Sequence, residues 1–312
     1  MSDPLKPATL FDFQVNGFAG VDFQSPDLDP GEMAHAVEAL RRHQTTAILF
    51  TLITDRIDAL CRKFERIETI RRLDERVAAV VKGYHLEGPW ISTEPGYYGA
   101  HPVDLACLPS LPDYRRLRDA AGGHLKLITL APEMDGCLEV IEEATRDGIR
   151  ISLGHTNASE QAIDAAIQAG ATLATHVGNA APAHLHRHDN VIQRLLSRDE
   201  LIACLIPDGL HLPPFVLKNY YRAKPKGRAF FTTDCVAAAG APPGRYNVGP
   251  YVIDVAEDGI VRLPGDTRFA GSSLTMDRAV DNIVKWLDLE RAEAVETCST
   301  LPAGHFGIEL VY

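Results

Sequence analysis

Short apolar runs alternate with amphipathic stretches along the whole chain. The runs Phe11–Gly17, Thr46–Ile53, Ala78–Glu87, Leu125–Glu133, Arg150–His155, Ala171–Val177, Leu201–Asp208 and Ala229–Asp234 read as eight strands. Most are almost continuously apolar, which fits strands covered on both faces. Between them, Gly31–His43, Asp55–Leu73, Asp135–Asp147, Ser159–Ala169, Asn190–Arg198, Pro213–Lys224 and Thr275–Leu287 space their apolar residues at helical intervals. Thr54 and Ser159 are expected N-caps, and Gly148 and Gly170 expected C-terminal glycines. Strand–helix repetition predicts a parallel sheet, and eight units predict a closed (β/α)8 TIM barrel in one domain spanning 1–312. An open doubly wound sheet fits less well, because no Gly-x-Gly-x-x-Gly follows the first strand. Ala238–Ser273 is rich in Gly and Pro around two alternating runs, Tyr251–Val255 and Gly259–Leu263, and predicts a β-hairpin excursion after strand eight, over the end of the barrel that carries the site.

Four of the strand runs end on residues that bind metals or move protons: Tyr84-His85-Leu86-Glu87, Leu153-Gly154-His155, Ala174-Thr175-His176 and Phe231-Thr232-Thr233-Asp234. Strand ends converge at the C-terminal face of a barrel, so residues far apart in sequence can meet there. Glu87, His155 and His176 would give one carboxylate and two imidazoles, the donor set of a catalytic zinc with one open position. A carboxylate at Asp234 would take a proton from the attacking water and pass it to a leaving amine; the plain alternative is a helix cap or ion-pair partner. His211, just past strand seven, would either polarise a substrate carbonyl or hold a loop. For any single histidine among the twelve, a structural role is the simpler reading; the joint placement of two at strand ends with Glu87 changes that.

Composition narrows the function without choosing it. The 312 residues carry a net charge of −11, which argues against a nucleic-acid or anionic-membrane partner but leaves room for an anionic small substrate. No apolar stretch approaches the roughly 20 residues of a membrane span. Met1–Leu10 is polar, with no apolar core of a secretion signal. The six cysteines are scattered without a Cys-x-x-Cys pair, as in a reduced, cytoplasmic protein.

His85-Leu86-Glu87-Gly88-Pro89, Gly99-Ala100-His101, Gly154-His155-Thr156-Asn157-Ala158, Thr175-His176, Asn179-Ala180, Asp208-Gly209-Leu210-His211, Thr233-Asp234 and Gly271-Ser272-Ser273-Leu274-Thr275-Met276 occur in that order. Together they resemble the N-acetylglucosamine-6-phosphate deacetylase family of the amidohydrolase superfamily, over roughly residues 11 to 307. The resemblance implies one divalent metal, zinc with iron as the alternative, on Glu87, His155 and His176. It implies Asp234 as acid–base, His211 on the acetamide carbonyl, His101 on the sugar, and the backbone of Asn179 and Ala180 on a phosphate. It further implies that Arg187 reaches a phosphate from a neighbouring subunit of a homodimer. The expected partner is an N-acetylated amino sugar, phosphorylated. Another amidohydrolase reaction (deamination or cyclic amide hydrolysis) and a non-catalytic sugar-phosphate-binding barrel are the alternatives.

Four departures refine the expectation. Gln14-Val15-Asn16 stands where many amidohydrolases have His-x-His, and amides are poor zinc ligands, so one metal is expected. Leu130-Ala131-Pro132-Glu133 ends without a lysine that could bridge two metals. The chain starts near the first strand and stops soon after the last helix, which implies a compact member without the family's small β-sandwich; the Ala183–His188 loop also differs from the commoner family pattern.

Overall fold

A computed structural model describes residues 9–265 and 269–310. Expectations for Met1–Leu10 therefore fall outside the described residues up to residue 8, and the excursion is described on either side of 266–268.

Eight parallel strands form one sheet in sequence order: β1 (Leu10–Val15), β2 (Thr45–Ile53), β3 (Val81–Glu87), β4 (Leu125–Leu130), β5 (Arg150–Leu153), β6 (Ala171–Ala174), β7 (Ile202–Leu205) and β8 (Ala229–Phe231). The chain just beyond β8 bridges back to the end of β1 at Val15 and Cys235, where Asn16 N–H donates to the Cys235 carbonyl at 2.7 Å. The sheet is a nearly closed barrel with helices between the strands, as the alternation predicted.

Strand periodicity sorts side chains to the two faces of the wall. On β2, Ile48, Phe50 and Leu52 pack outward against the helices, with Leu60, Phe64 and Ile67 from Ile57–Leu73 in the same core. Each such aliphatic or aromatic side chain contributes roughly 1.5–3 kcal/mol on burial. Ala47 and Leu49 point inward, with Phe11, Phe13, Leu127, Leu173, Ile202 and Phe230, into a separate apolar floor. The helix Thr300–Phe306 closes that floor, with Phe306 edge-on to Phe11 at 5.9 Å between ring centroids. Above it lies a polar storey. His85 bonds Thr129 Oγ1 at 2.8 Å, Thr129 bonds Thr175 at 2.8 Å, and Thr175 bonds Ser152. Burial drives the His85 imidazole down to about 4, so it is a neutral spacer beneath the site.

Local chemistry explains the helix limits. Pro30–Arg42 starts at Asp29, whose side chain accepts from Gly31 N–H while Glu32 accepts from Asp29 N–H, a reciprocal cap. Ser159 caps Glu160–Ala169 as predicted. Two expectations need correction. Thr54 does not cap the next helix, which begins at Ile57 after Arg56 with no side-chain cap; its hydroxyl is engaged elsewhere. The third strand begins at Val81 rather than Ala78, because Asp74 caps a short helix, Glu75–Val80, that buries Val77 and Val80.

The excursion after β8 is present and carries a third strand: β9 (Gly244–Val248), β10 (Tyr251–Val255) and β11 (Val261–Arg262) form an antiparallel meander. Its apolar face joins Ile53, Val236 and Ala270 in a small core at the C-terminal end of the barrel. All six cysteines are free. Among the described residues no helix is long and apolar enough to cross a membrane.

Candidate active site

Glu87 is the last residue of β3, and His155, His176 and Asp234 follow β5, β6 and β8 by two or three residues. The latter three have positive φ, at 51°, 28° and 51°. L-residues avoid this left-handed region at a cost of about 1–2 kcal/mol each, so surrounding contacts must hold it. One such contact is plain at Gly154. A Cβ there would lie 2.7 Å from Thr175 Cβ and 2.8 Å from Thr129 Cγ2, so only glycine lets β5 approach its neighbours and deliver His155.

The three predicted donors meet. Glu87 Oε1 lies 3.1 Å from His155 Nε2 and 3.1 Å from His176 Nε2, and the two nitrogens are 3.2 Å apart. All three side chains are buried. A four-coordinate cation with bonds of about 2.0–2.1 Å needs donors roughly 3.3 Å apart. One hard carboxylate and two imidazoles at this spacing fit a single divalent ion. His155 Nδ1 faces the carbonyl of Tyr97 at 3.2 Å, which fixes Nε2 as its coordinating nitrogen. Burial alone would push the Glu87 carboxyl up, but His155 and His176 outweigh it and hold it well below its usual range.

Gln14 and Asn16 have partners that sequence reasoning missed. Gln14 Nε2 donates to Glu87 Oε1 at 2.9 Å, and Asn16 Nδ2 donates to Asp234 Oδ1 at 2.7 Å. Burial and the facing Glu87 push Asp234 up to about 7, while His176, His211 and the Asn16 hydrogen bond pull it down. A carboxyl in that range can both take and return a proton near neutrality.

Glu87, His155, His176, Asp234 and Asn16 line a cavity of about 430 Å³. His101, His211, Asn179 and Ala180 also line it, with Val248, Tyr251 and Phe269 from the excursion. His101 packs against His155 with 4.2 Å between ring centroids and the ring planes tilted by 53°, and it bonds Thr54 Oγ1 through Nδ1 at 2.8 Å. Burial and the adjacent His155 push its imidazole down to about 3, so the ring is neutral; Thr54 N–H donates to Nδ1 at 3.4 Å, which leaves the proton on Nε2, 3.8 Å from Glu87 Oε2. Among the described residues, Asn179 Nδ2 and Asn16 Oδ1 are buried with no protein partner. Ala180 has φ 48°. Arg187 is exposed on its loop and does not line the cavity; among the described residues no Lys or Arg does. Chemically, the site can hold a cation and a water against a small amide, with Asp234 and His211 on the same cavity.

No family model matches the chain. The N-acetylglucosamine-6-phosphate deacetylase of Mus musculus is 35% identical over 313 residues, spanning 96% of this chain and 74% of that protein. The N-acetylgalactosamine-6-phosphate deacetylase of Escherichia coli O157:H7 is 32% identical, spanning 98% of this chain and 78% of that one. Among solved structures, an aspartate-to-alanine mutant of the N-acetyl-D-glucosamine-6-phosphate deacetylase of Mycobacterium smegmatis, in complex with N-acetyl-D-glucosamine-6-phosphate, has a TM-score of 0.88 at 29% identity, covering 99% of this chain and 82% of that one.

Proposed function

The chain belongs to the N-acetylglucosamine-6-phosphate deacetylase family, and from that premise we propose that it hydrolyses the acetamide of N-acetylglucosamine 6-phosphate to acetate and the amino sugar phosphate. The observation that carries the reading is the meeting of Glu87, His155 and His176 within 3.2 Å of one another on the cavity that Asp234 also lines. Glu87, His155 and His176 would hold one divalent ion, zinc with iron as the alternative. That ion supplies Lewis acidity toward water and an amide oxygen.

The chain's own groups do the rest. Asp234 takes the proton of the attacking water, and Asn16 keeps its carboxylate aimed. His211 donates to the acetamide oxygen as charge builds there, a contribution worth about 3–4 kcal/mol for a well-placed donor. Asp234 then returns the proton to the sugar nitrogen, which leaves as an amine. His101, fixed by Thr54, and the backbone at Asn179 and Ala180 would bind the sugar and its phosphate. We assign the phosphate contact to Arg187 of a second subunit in a homodimer, where a guanidinium would grip the phosphate with a two-pronged hydrogen bond. The unpaired cysteines support a cytoplasmic location.

Deamination and cyclic amide hydrolysis are disfavoured because Gln14 and Asn16 are committed to Glu87 and Asp234 and leave no His-x-His for a second metal. The test is acetate release by the zinc-loaded protein over the gluco and galacto epimers, each with and without a 6-phosphate. The reading expects the phosphorylated gluco compound to have the highest kcat/KM. Release from none of the four, with turnover of a nucleobase or cyclic amide, would overturn it.

A further inference from the structure

The loop after β7 contains an acid that the reaction scheme leaves unused. Asp208 is 6% exposed at its side chain. Its Oδ1 accepts from the backbone N–H groups of Leu210 and His211, both at 2.8 Å. Its Oδ2 accepts from His211 Nδ1 at 2.6 Å. The same ring packs edge-on to Phe269, with centroids 5.0 Å apart, and lines the cavity. Nε2 has no protein partner among the described residues. Gly209 makes the turn tight, at φ 75°, and a Cβ there would lie 2.7 Å from the Trp286 ring. The loop is thus wedged from behind while Asp208 ties it from within.

We propose that Asp208 is a positioning residue for the reaction: it fixes the proton on Nδ1 of His211, presents Nε2 to the cavity, and is the counter-charge of the ring when Nε2 donates. This rests on the functional reading above for its kinetic part only. An ionised carboxylate accepts and never donates, so Nδ1 facing Asp208 must carry a hydrogen. When Nε2 also gives a hydrogen bond to the acetamide oxygen, both ring nitrogens are protonated and the ring is cationic. Asp208 is the anion in contact with it.

Replacing Asp208 by asparagine separates position from charge. The amide oxygen stays on the two backbone N–H groups, so the NH2 group faces His211 Nδ1. Nδ1 must then be bare and the proton moves to Nε2, as happens when an aspartate orienting a catalytic histidine is replaced by asparagine.

The experiment uses the zinc-loaded protein labelled with 15N-histidine. Long-range 1H–15N spectra report which ring nitrogen is protonated, with His211 identified by the signals lost in His211→Asn. The wild type is expected to show a protonated Nδ1. Asp208→Asn is expected to show a bare Nδ1 and a protonated Nε2, a neutral donor in place of the cationic one, with kcat lowered at least tenfold, KM changed less than twofold, and a cooperative thermal transition retained. A bare Nδ1 in the wild type overturns the proposal, and that spectrum decides it even where the variant does not fold. Wild-type kcat in a folded Asp208→Asn overturns it equally. A protonated Nδ1 in a wild type that releases no acetate removes the deacetylase reading instead, and bears out the tautomer.

Discussion

Asn16 donates from Nδ2 to Oδ1 of Asp234 at 2.7 Å, across the seam where the end of β1 meets the chain leaving β8. The bond favours the charged carboxylate, against the burial that favours the neutral acid. Asn16→Ala therefore raises the Asp234 pKa. Asp234 must be ionised to take a proton, so the acid limb of the kcat/KM profile moves to higher pH. A pH–rate profile of the two proteins checks this; a limb that stays in place or moves to lower pH removes Asn16 from the role.

Gly154→Ala adds a Cβ within 2.8 Å of both Thr175 and Thr129. Overpacking of this kind costs about 1–3 kcal/mol. The strain falls between His155 and His176, so zinc affinity drops by at least tenfold although no ligand is changed. Calorimetric zinc titration together with a thermal melt measures both effects, and a variant with wild-type affinity would mean that the glycine does not set the donor geometry.

Thr54→Val keeps the shape of the side chain and deletes the hydroxyl that bonds His101 Nδ1. Because Thr54 caps no helix, helix content measured by circular dichroism stays the same. His101 loses the shorter of the two Thr54 contacts that hold its ring, and kcat/KM for the sugar falls several-fold. Lost helix content with unchanged kinetics would restore the capping role.

How far the sequence alone could reach is clear from these residues. Strands buried on both faces are apolar throughout, so a Glu, His or Asp at the end of one stands out, and all four of Glu87, His155, His176 and Asp234 were legible that way. Thr54 was not, because a threonine before a helical stripe has the look of a cap, and its true partner lies 47 residues on. The partners of Gln14 and Asn16 were equally hidden, since a hydrogen bond over 73 or 218 residues leaves no local trace. Glu75–Val80 is too short to show a period, and Leu111–Ala120 buries only Tyr114 and Leu117, too few for a stripe. The left-handed backbone at His155, His176 and Asp234 had no glycine to announce it.

Arg187→Ala raises KM for the phosphorylated sugar at least tenfold and leaves the plain N-acetyl sugar unchanged. A charged hydrogen bond to phosphate is worth about 1.5–3 kcal/mol, which sets that size. Steady-state kinetics on both sugars measures it, with sedimentation to establish the dimer that the assignment needs. Equal effects on the two substrates would take Arg187 out of phosphate recognition.

The central claim is that one cation sits among Glu87, His155 and His176. Anomalous diffraction at the zinc edge from crystals of the zinc-loaded protein tests it most directly. The account predicts one strong peak within about 2.0–2.2 Å of Glu87 Oε1, His155 Nε2 and His176 Nε2. Zinc found only elsewhere, such as on the exposed His184, His186 and His188, with no peak at the barrel mouth, would contradict it.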